Sequence, residues 1–226
     1  MKTFVLALIA LVLAGIGFGI YAKYRPQPII TQNQNAQAAS VSTAQVKEES
    51  TDYAIDVEYP QFGIAEIDAR IRSSVESMVT SVKEEAKKDR PAAEGFRKYE
   101  LLGGFDRAYI GDDVVSARIT FGQDFGGAHP LPIITTFNFD RKNGQGITLN
   151  QALGMIGRTL PQVAVGAKAQ LDQKLGSDVI APEGADPKAE NYETFLIEKE
   201  RVTFIFQPYQ VAPYTAGVPE VSFARK

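Results

Sequence analysis

An unbroken apolar run from Phe4 to Ala22, preceded only by Met1, Lys2 and Thr3, restricts this chain more than any other feature. As a helix rising about 1.5 Å per residue, such a run spans roughly 28 Å, close to the hydrocarbon core of a bilayer. Residues 1–22 are therefore expected to be a membrane helix or an export signal, and the fold must be made from the rest. A cleaved signal has an apolar segment of roughly 7–15 residues followed by small residues. Here the segment is longer, and the nearest junction, Ile20-Tyr21-Ala22, is bulky at its first position. Ala36-Gln37-Ala38 has the small residues but lies too far downstream. An uncleaved signal anchor is the preferred reading, with a secreted or periplasmic product as the alternative. Lys23 and Arg25 flank the far end, so the positive-inside rule does not choose an orientation. Three leading residues are too few for a domain, and the bulk of the chain is expected outside.

The sequence contains no cysteine. Disulfides and lipid attachment through an N-terminal cysteine are excluded, so stability must come from a packed core alone. Apolar residues at 44% and charged residues at 23% are ordinary globular values that allow such a core. The formal net charge is −3 with both signs interspersed, which argues against a nucleic-acid partner, since that would require a basic face.

Pro26, Pro28 and the polar tract Thr31 to Gln45 lack apolar periodicity, so residues 23–50 are expected to be a flexible tether. About 27 flexible residues give a root-mean-square reach of roughly 30 Å. The folded domain is then 51–226, with two subdomains, 51–125 and 126–226, as an option. Tyr53, Ile55, Val57 and Tyr59 alternate with polar residues and predict a strand that Pro60 ends. Ile64, Ile67, Ile71, Val75, Met78, Val79 and Val82 recur at steps of three and four, predicting one long helix to about Lys88. Two strands, 99–110 and 114–125, are expected around the turn Gly111-Asp112-Asp113, whose paired carboxylates read as a solvated turn.

A second hairpin is expected from 133–140, a turn at 141–146 and a return at Ile147-Thr148-Leu149, after which Asn150 would cap a short helix through Met155. Val163 to Leu175 reads as a helix stopped by Gly176. Residues 181–191 read as a loop, 194–197 and 202–206 as a third hairpin, and 218–223 as a last strand. With hairpins dominant and helices few, the expected fold is α+β: a mostly antiparallel sheet with one long and one or two shorter packed helices.

Two stretches carry more than scaffold. Both follow strands: Phe125-Gly126-Gly127-Ala128-His129-Pro130, and Phe206-Gln207-Pro208-Tyr209-Gln210-Val211-Ala212-Pro213-Tyr214-Thr215-Ala216-Gly217. With Tyr59-Pro60 and Gly146-Ile147-Thr148-Leu149, they resemble the bacterial extracytoplasmic domain of unknown function found in the anti-sigma-V factor and ahead of the catalytic domain of a peptidoglycan deacetylase. The resemblance covers about Thr51 to Phe223. It implies an extracytoplasmic location and, from the anti-sigma factor, a domain that binds lysozyme. Neither a sigma-binding segment ahead of the membrane helix nor a deacetylase domain is expected here.

His129 is the only histidine, so a zinc site would need carboxylates for its other ligands, and a Ser-His-Asp arrangement would have to use this residue as base. No Gly-x-Ser-x-Gly elbow lies near it. No catalytic residue, metal or cofactor is expected. Gly126, Gly127 and Pro130 equally suit a structural turn, with His129 bonded to backbone. Tyr209 and Tyr214 either lock a turn between Pro208 and Pro213 or offer rings to a sugar or protein. The candidate binding residues are Gly126, Gly127, His129, Pro130, Tyr209 and Tyr214, expected on neighbouring loops that frame one groove. The leading expectation is a membrane-tethered binding domain at the cell envelope, with a lysozyme-like protein or wall glycan as partner. The alternatives are a wall-polymer hydrolase using His129 and a structural accessory of another envelope protein.

Overall fold

The computed structural model describes residues 29–32, 40–89, 98–125 and 130–226. The apolar run over 4–22 lies outside them, and among the described residues no helix is long and apolar enough to cross a membrane. The fold is α+β, with a mixed sheet, a second antiparallel sheet and three α-helices among the described residues.

The first sheet contains β1 (Ile29–Gln32), β2 (Ser42–Glu49), β3 (Tyr53–Gln61), β4 (Tyr99–Ile110), β5 (Val114–Asp124) and β6 (Leu131–Asp140). Its order is β2-β3-β4-β5-β6, with β1 also on β4. The pairs β1·β4 and β3·β4 are parallel and the others antiparallel. Helix α1 (Ala65–Asp89) carries Ile67, Ile71, Val75, Val79, Val82 and Ala86 on the expected stripe. They share one core with Ile55, Val57, Leu101, Phe105 and the odd-numbered β5 residues Val115, Ala117, Ile119 and Phe121. Period-2 alternation in β5 and the 3.6-residue period of α1 therefore meet on one face of the sheet.

Helix α2 (Leu149–Ile156) and helix α3 (Leu160–Leu175) cover a three-stranded sheet of β7 (Phe195–Ile197), β8 (Arg201–Ile205) and β9 (Glu220–Ala224). Ala152, Ile156, Val163, Ala167, Leu171, Tyr192, Phe204, Phe206, Val211, Val221 and Phe223 form this second core. Between the sheets lie a small apolar cluster of Ile134, Leu196 and Ile205 and the buried polar residues Ser116, Asn138 and Thr203. Each of these three has a partner. Ser116 Oγ donates to the Ile197 carbonyl at 2.6 Å, Asn138 spans Phe195 and Ile197, and Thr203 meets the Ser222 hydroxyl at 2.9 Å.

Several expectations are corrected. The segment expected as a flexible tether holds β1 and β2, and β2 pairs with β3 along eight residues, so folded structure begins before residue 51. Pro60 does not end β3, which continues to Gln61. Beyond Val57 that strand has β2 on one side only, and a residue lacking N–H is tolerated there. No return strand forms at 147–149: a single bridge joins Phe139 to Gly146, and Thr148 instead caps α2, exchanging hydrogen bonds with Gln151. Asn150 lies inside that helix. The cores do not divide at residue 125: Phe139 of β6 belongs to the first core, while Val114 of β5 belongs to the second.

The Asn138 carboxamide makes both its bonds in a buried setting: Nδ2 donates to Phe195 O at 2.6 Å, and Oδ1 accepts from Ile197 N at 2.8 Å. Asn138→Ala leaves one buried N–H and one buried carbonyl without partners, a cost of about 2–4 kcal/mol. Urea denaturation should read a loss of that size, and a loss below about 1 kcal/mol would mean the edge of β7 is held by other means.

Candidate functional site

The loop from Phe206 to Gly217 is braced from within and from both sides. Gln207 N donates to Gln210 Oε1 at 2.9 Å, and Gln210 Nε2 donates to the carbonyls of Gly184 and Asn191 at 2.9 and 3.0 Å. The amides of Ile180 and Ala181 both donate to Val211 O. Gly184 runs so close to the Gln210 carbonyl that a Cβ there would overlap it. Asn191 Nδ2 ties the carbonyls of Glu183 and Asp186, and Val211 and Ala212 are buried in the second core.

On this braced segment Tyr209 and Tyr214 are exposed by 51% and 38%, with ring centroids 5.9 Å apart and planes tilted by 32°. Tyr209 has φ 68°, the only positive φ of a non-glycine among the described residues. That left-handed conformation costs energy for a residue with a Cβ and persists because its surroundings over-determine it. Both rings are exposed, so neither is buried to lock the turn.

Gly126, Gly127 and His129 lie outside the described residues, and Pro130 is exposed just ahead of β6. The second motif is tied to that strand. Gln207 Oε1 accepts from Ile134 N at 3.0 Å and its Nε2 donates to Ile134 O at 2.8 Å. Ile134 is four residues beyond Pro130, about 13 Å along an extended strand.

Two charged clusters were not legible as units. A bulge between Phe105 and Arg107 places Asp106 and Arg107 beside Arg118 and Glu220. Arg118 binds Asp106 (Nε to Oδ1, 2.7 Å) and also Glu220, which Arg107 reaches at 2.7 Å. Burial works against the Arg118 charge, yet Asp106 and then Glu220 hold its pKa above the ordinary value. The one signal in the sequence is an arginine two residues beyond Ser116 and four beyond Val114, on the β5 face that turns away from α1 toward the second sheet. The second cluster is an open pocket of about 560 Å³ lined by Tyr109, Asp112, Asp113, Lys199, Glu200 and Arg225. Asp113 is paired with Arg225, and burial, then Asp113, raises the Tyr109 phenol. Asp112 and Asp113 form the expected exposed turn.

Tyr192 lies beneath the braced loop, edge-on to Phe204 and Phe206, with its hydroxyl donating to Ala185 O at 2.7 Å. Burial, and secondarily Asp186, pushes its phenol up to about 12. An unfolded tyrosine titrates near 10, so the protonated Tyr192 supports the fold fully below about pH 10 and loses that effect as pH rises toward 12. Ultraviolet phenolate absorbance should show a late-titrating tyrosine that Tyr192→Phe removes. A titration of all tyrosines together near 10 would contradict it.

Residues 157–226, which are α3, the second sheet and the braced loop, match the family described as Protein of unknown function (DUF3298). Along 225 residues the chain is 21% identical to the peptidoglycan-N-acetylmuramic acid deacetylase PdaC of Bacillus subtilis, covering 98% of this chain and 48% of that protein. It is 31% identical over 105 residues to immunogenic protein MPT64 of Mycobacterium tuberculosis, covering 46% of this chain and 45% of that one. A solved DUF3298 family protein of Pseudomonas aeruginosa has the same fold, with a TM-score of 0.59 at 16% identity, over 84% of this chain and 95% of that chain. The chain spans about half the length of the curated relatives it matches. The resemblance to a domain of unknown function shared with a peptidoglycan deacetylase is borne out.

Proposed function

We propose that this chain is a membrane-tethered, extracytoplasmic binding domain of the cell envelope, holding wall glycan on the surface made by Tyr209 and Tyr214. The observation that carries the reading is the exposed tyrosine pair on a braced loop, with Tyr209 kept at φ 68°. Rings fixed before binding lose little conformational entropy when a partner arrives, and an aromatic face with a polar tip suits the alternating C–H and O–H surfaces of a sugar ring. Similarity to PdaC, whose name assigns it a peptidoglycan substrate, supports a wall polymer as the ligand class. The apolar run over 4–22 supplies the tether. A lysozyme-like protein would meet the same two rings, since tyrosines are favoured anchors in protein interfaces.

The full chain in detergent should co-sediment with insoluble peptidoglycan. Replacing both tyrosines, Tyr209→Ala with Tyr214→Ala, should weaken that binding about tenfold or more while the thermal midpoint stays within a few degrees of the parent. Capture on immobilised lysozyme instead of glycan would move the partner to the protein class. Binding to neither would remove the proposed activity.

A further inference from the structure

One edge of β4 is shared by two strands. β3 follows it in parallel from Tyr53 opposite Tyr99 to Val57 opposite Gly103, and β1 takes over from Ile29 opposite Arg107 to Gln32 opposite Ile110. The opposite edge belongs to β5 throughout. We propose that residues 107–110 form a strand-acceptor slot that a second copy of this chain fills with its own residues 29–32.

Two observations carry this. The slot is an edge that β1 now satisfies: Ile29 to Gln32 pair with Arg107 to Ile110, in a segment where Ala108, Tyr109 and Ile110 are buried with β1 in place, and its backbone groups lose those partners when β1 leaves. The strand that fills it is lightly held. It pairs over four residues, and Ile29 and Ile30 are exposed by 63% and 43%, so little apolar area keeps it in place. An element retained mainly by backbone bonds opens locally at low free energy. Once it leaves, main-chain pairing by an added strand restores what the slot lost, and an identical copy brings the same residues in the same register.

The other edges are less receptive. Gln207 caps Ile134 on β6, Asn138 caps β7, and Gln170 caps Ser222 on β9 through bonds of 3.1 Å each way. The outer strand β2 carries Lys47, Glu48 and Glu49, charges that discourage a further strand. Nine residues separate Gln32 from Ser42, at most about 30 Å when extended, enough to cross to a neighbour. Exchange in both directions gives a closed two-fold dimer.

The chain has no cysteine, so introduced thiols are the only ones present. Ile30 and Ala108 face each other in register. Full-length chain carrying both Ile30→Cys and Ala108→Cys should form an intrachain disulfide on oxidation. When folded chains carrying one substitution each are incubated together in detergent, they should form a mixed disulfide dimer. Its yield should exceed by about tenfold that of Ile30→Cys incubated with Val165→Cys, an exposed position on α3. An intrachain bond in the double variant with a mixed dimer no more abundant than this control would overturn the exchange. Absence of the intrachain bond in a folded double variant, as judged by circular dichroism, would overturn the slot itself.

Discussion

Three side-chain carboxamides close the edges of the two sheets, and the placement of everything else depends on them. A strand edge presents N–H and carbonyl groups that must be paired when they are buried. Asn138 supplies β7 with both partners, Gln207 does so for Ile134 on β6, and Gln170 for Ser222 on β9. Two of these contacts join elements of the separate cores: Asn138 reaches from β6 to β7, and Gln207 reaches back to β6 from the end of β8. The sheets are thus held in one register by amides that act as short strands, and the four-charge set of Asp106, Arg107, Arg118 and Glu220 adds a second tie across the same gap.

That register fixes the tyrosine loop. Gln207 anchors its start on β6, Gln210 ties its middle to the carbonyls of Gly184 and Asn191, and Val211 is drawn into the second core. With the backbone held at these points, the two rings have nowhere to go but outward. An exposed aromatic pair on a loose loop would sample many orientations, whereas the backbone under this one is set by bonds already made within the fold.

Much of the fold was legible because burial imposes period. The α1 stripe and the strand pair β7 and β8 follow from spacing, the hairpin of β4 and β5 from spacing together with its Gly-Asp-Asp turn, and the end of α3 from the glycine at 176. β1 and β2 were not legible. Most of the β2 residues are exposed, so the strand has a partner but almost no apolar alternation, and its conformation is set by β3 and not by its own sequence. Pro60 misled because its meaning depends on which side of β3 is empty. The bulge at Asp106 leaves no trace in residue type, which hid the charge set. The aromatic pair was visible as a motif, but its exposure rests on Gln207 and Gln210, whose partners lie as much as 73 residues away in sequence.

Carboxamides neither gain nor lose a proton anywhere in the range where proteins stay folded, and they have no redox chemistry with a thiol pool. A sheet closed by asparagine and glutamine therefore keeps its edges sealed through changes of acidity or oxidant that would open a carboxylate clasp or reduce a disulfide. In a cysteine-free domain, this choice of seal makes the edges closed by Asn138, Gln207 and Gln170 insensitive to proton and oxidant alike.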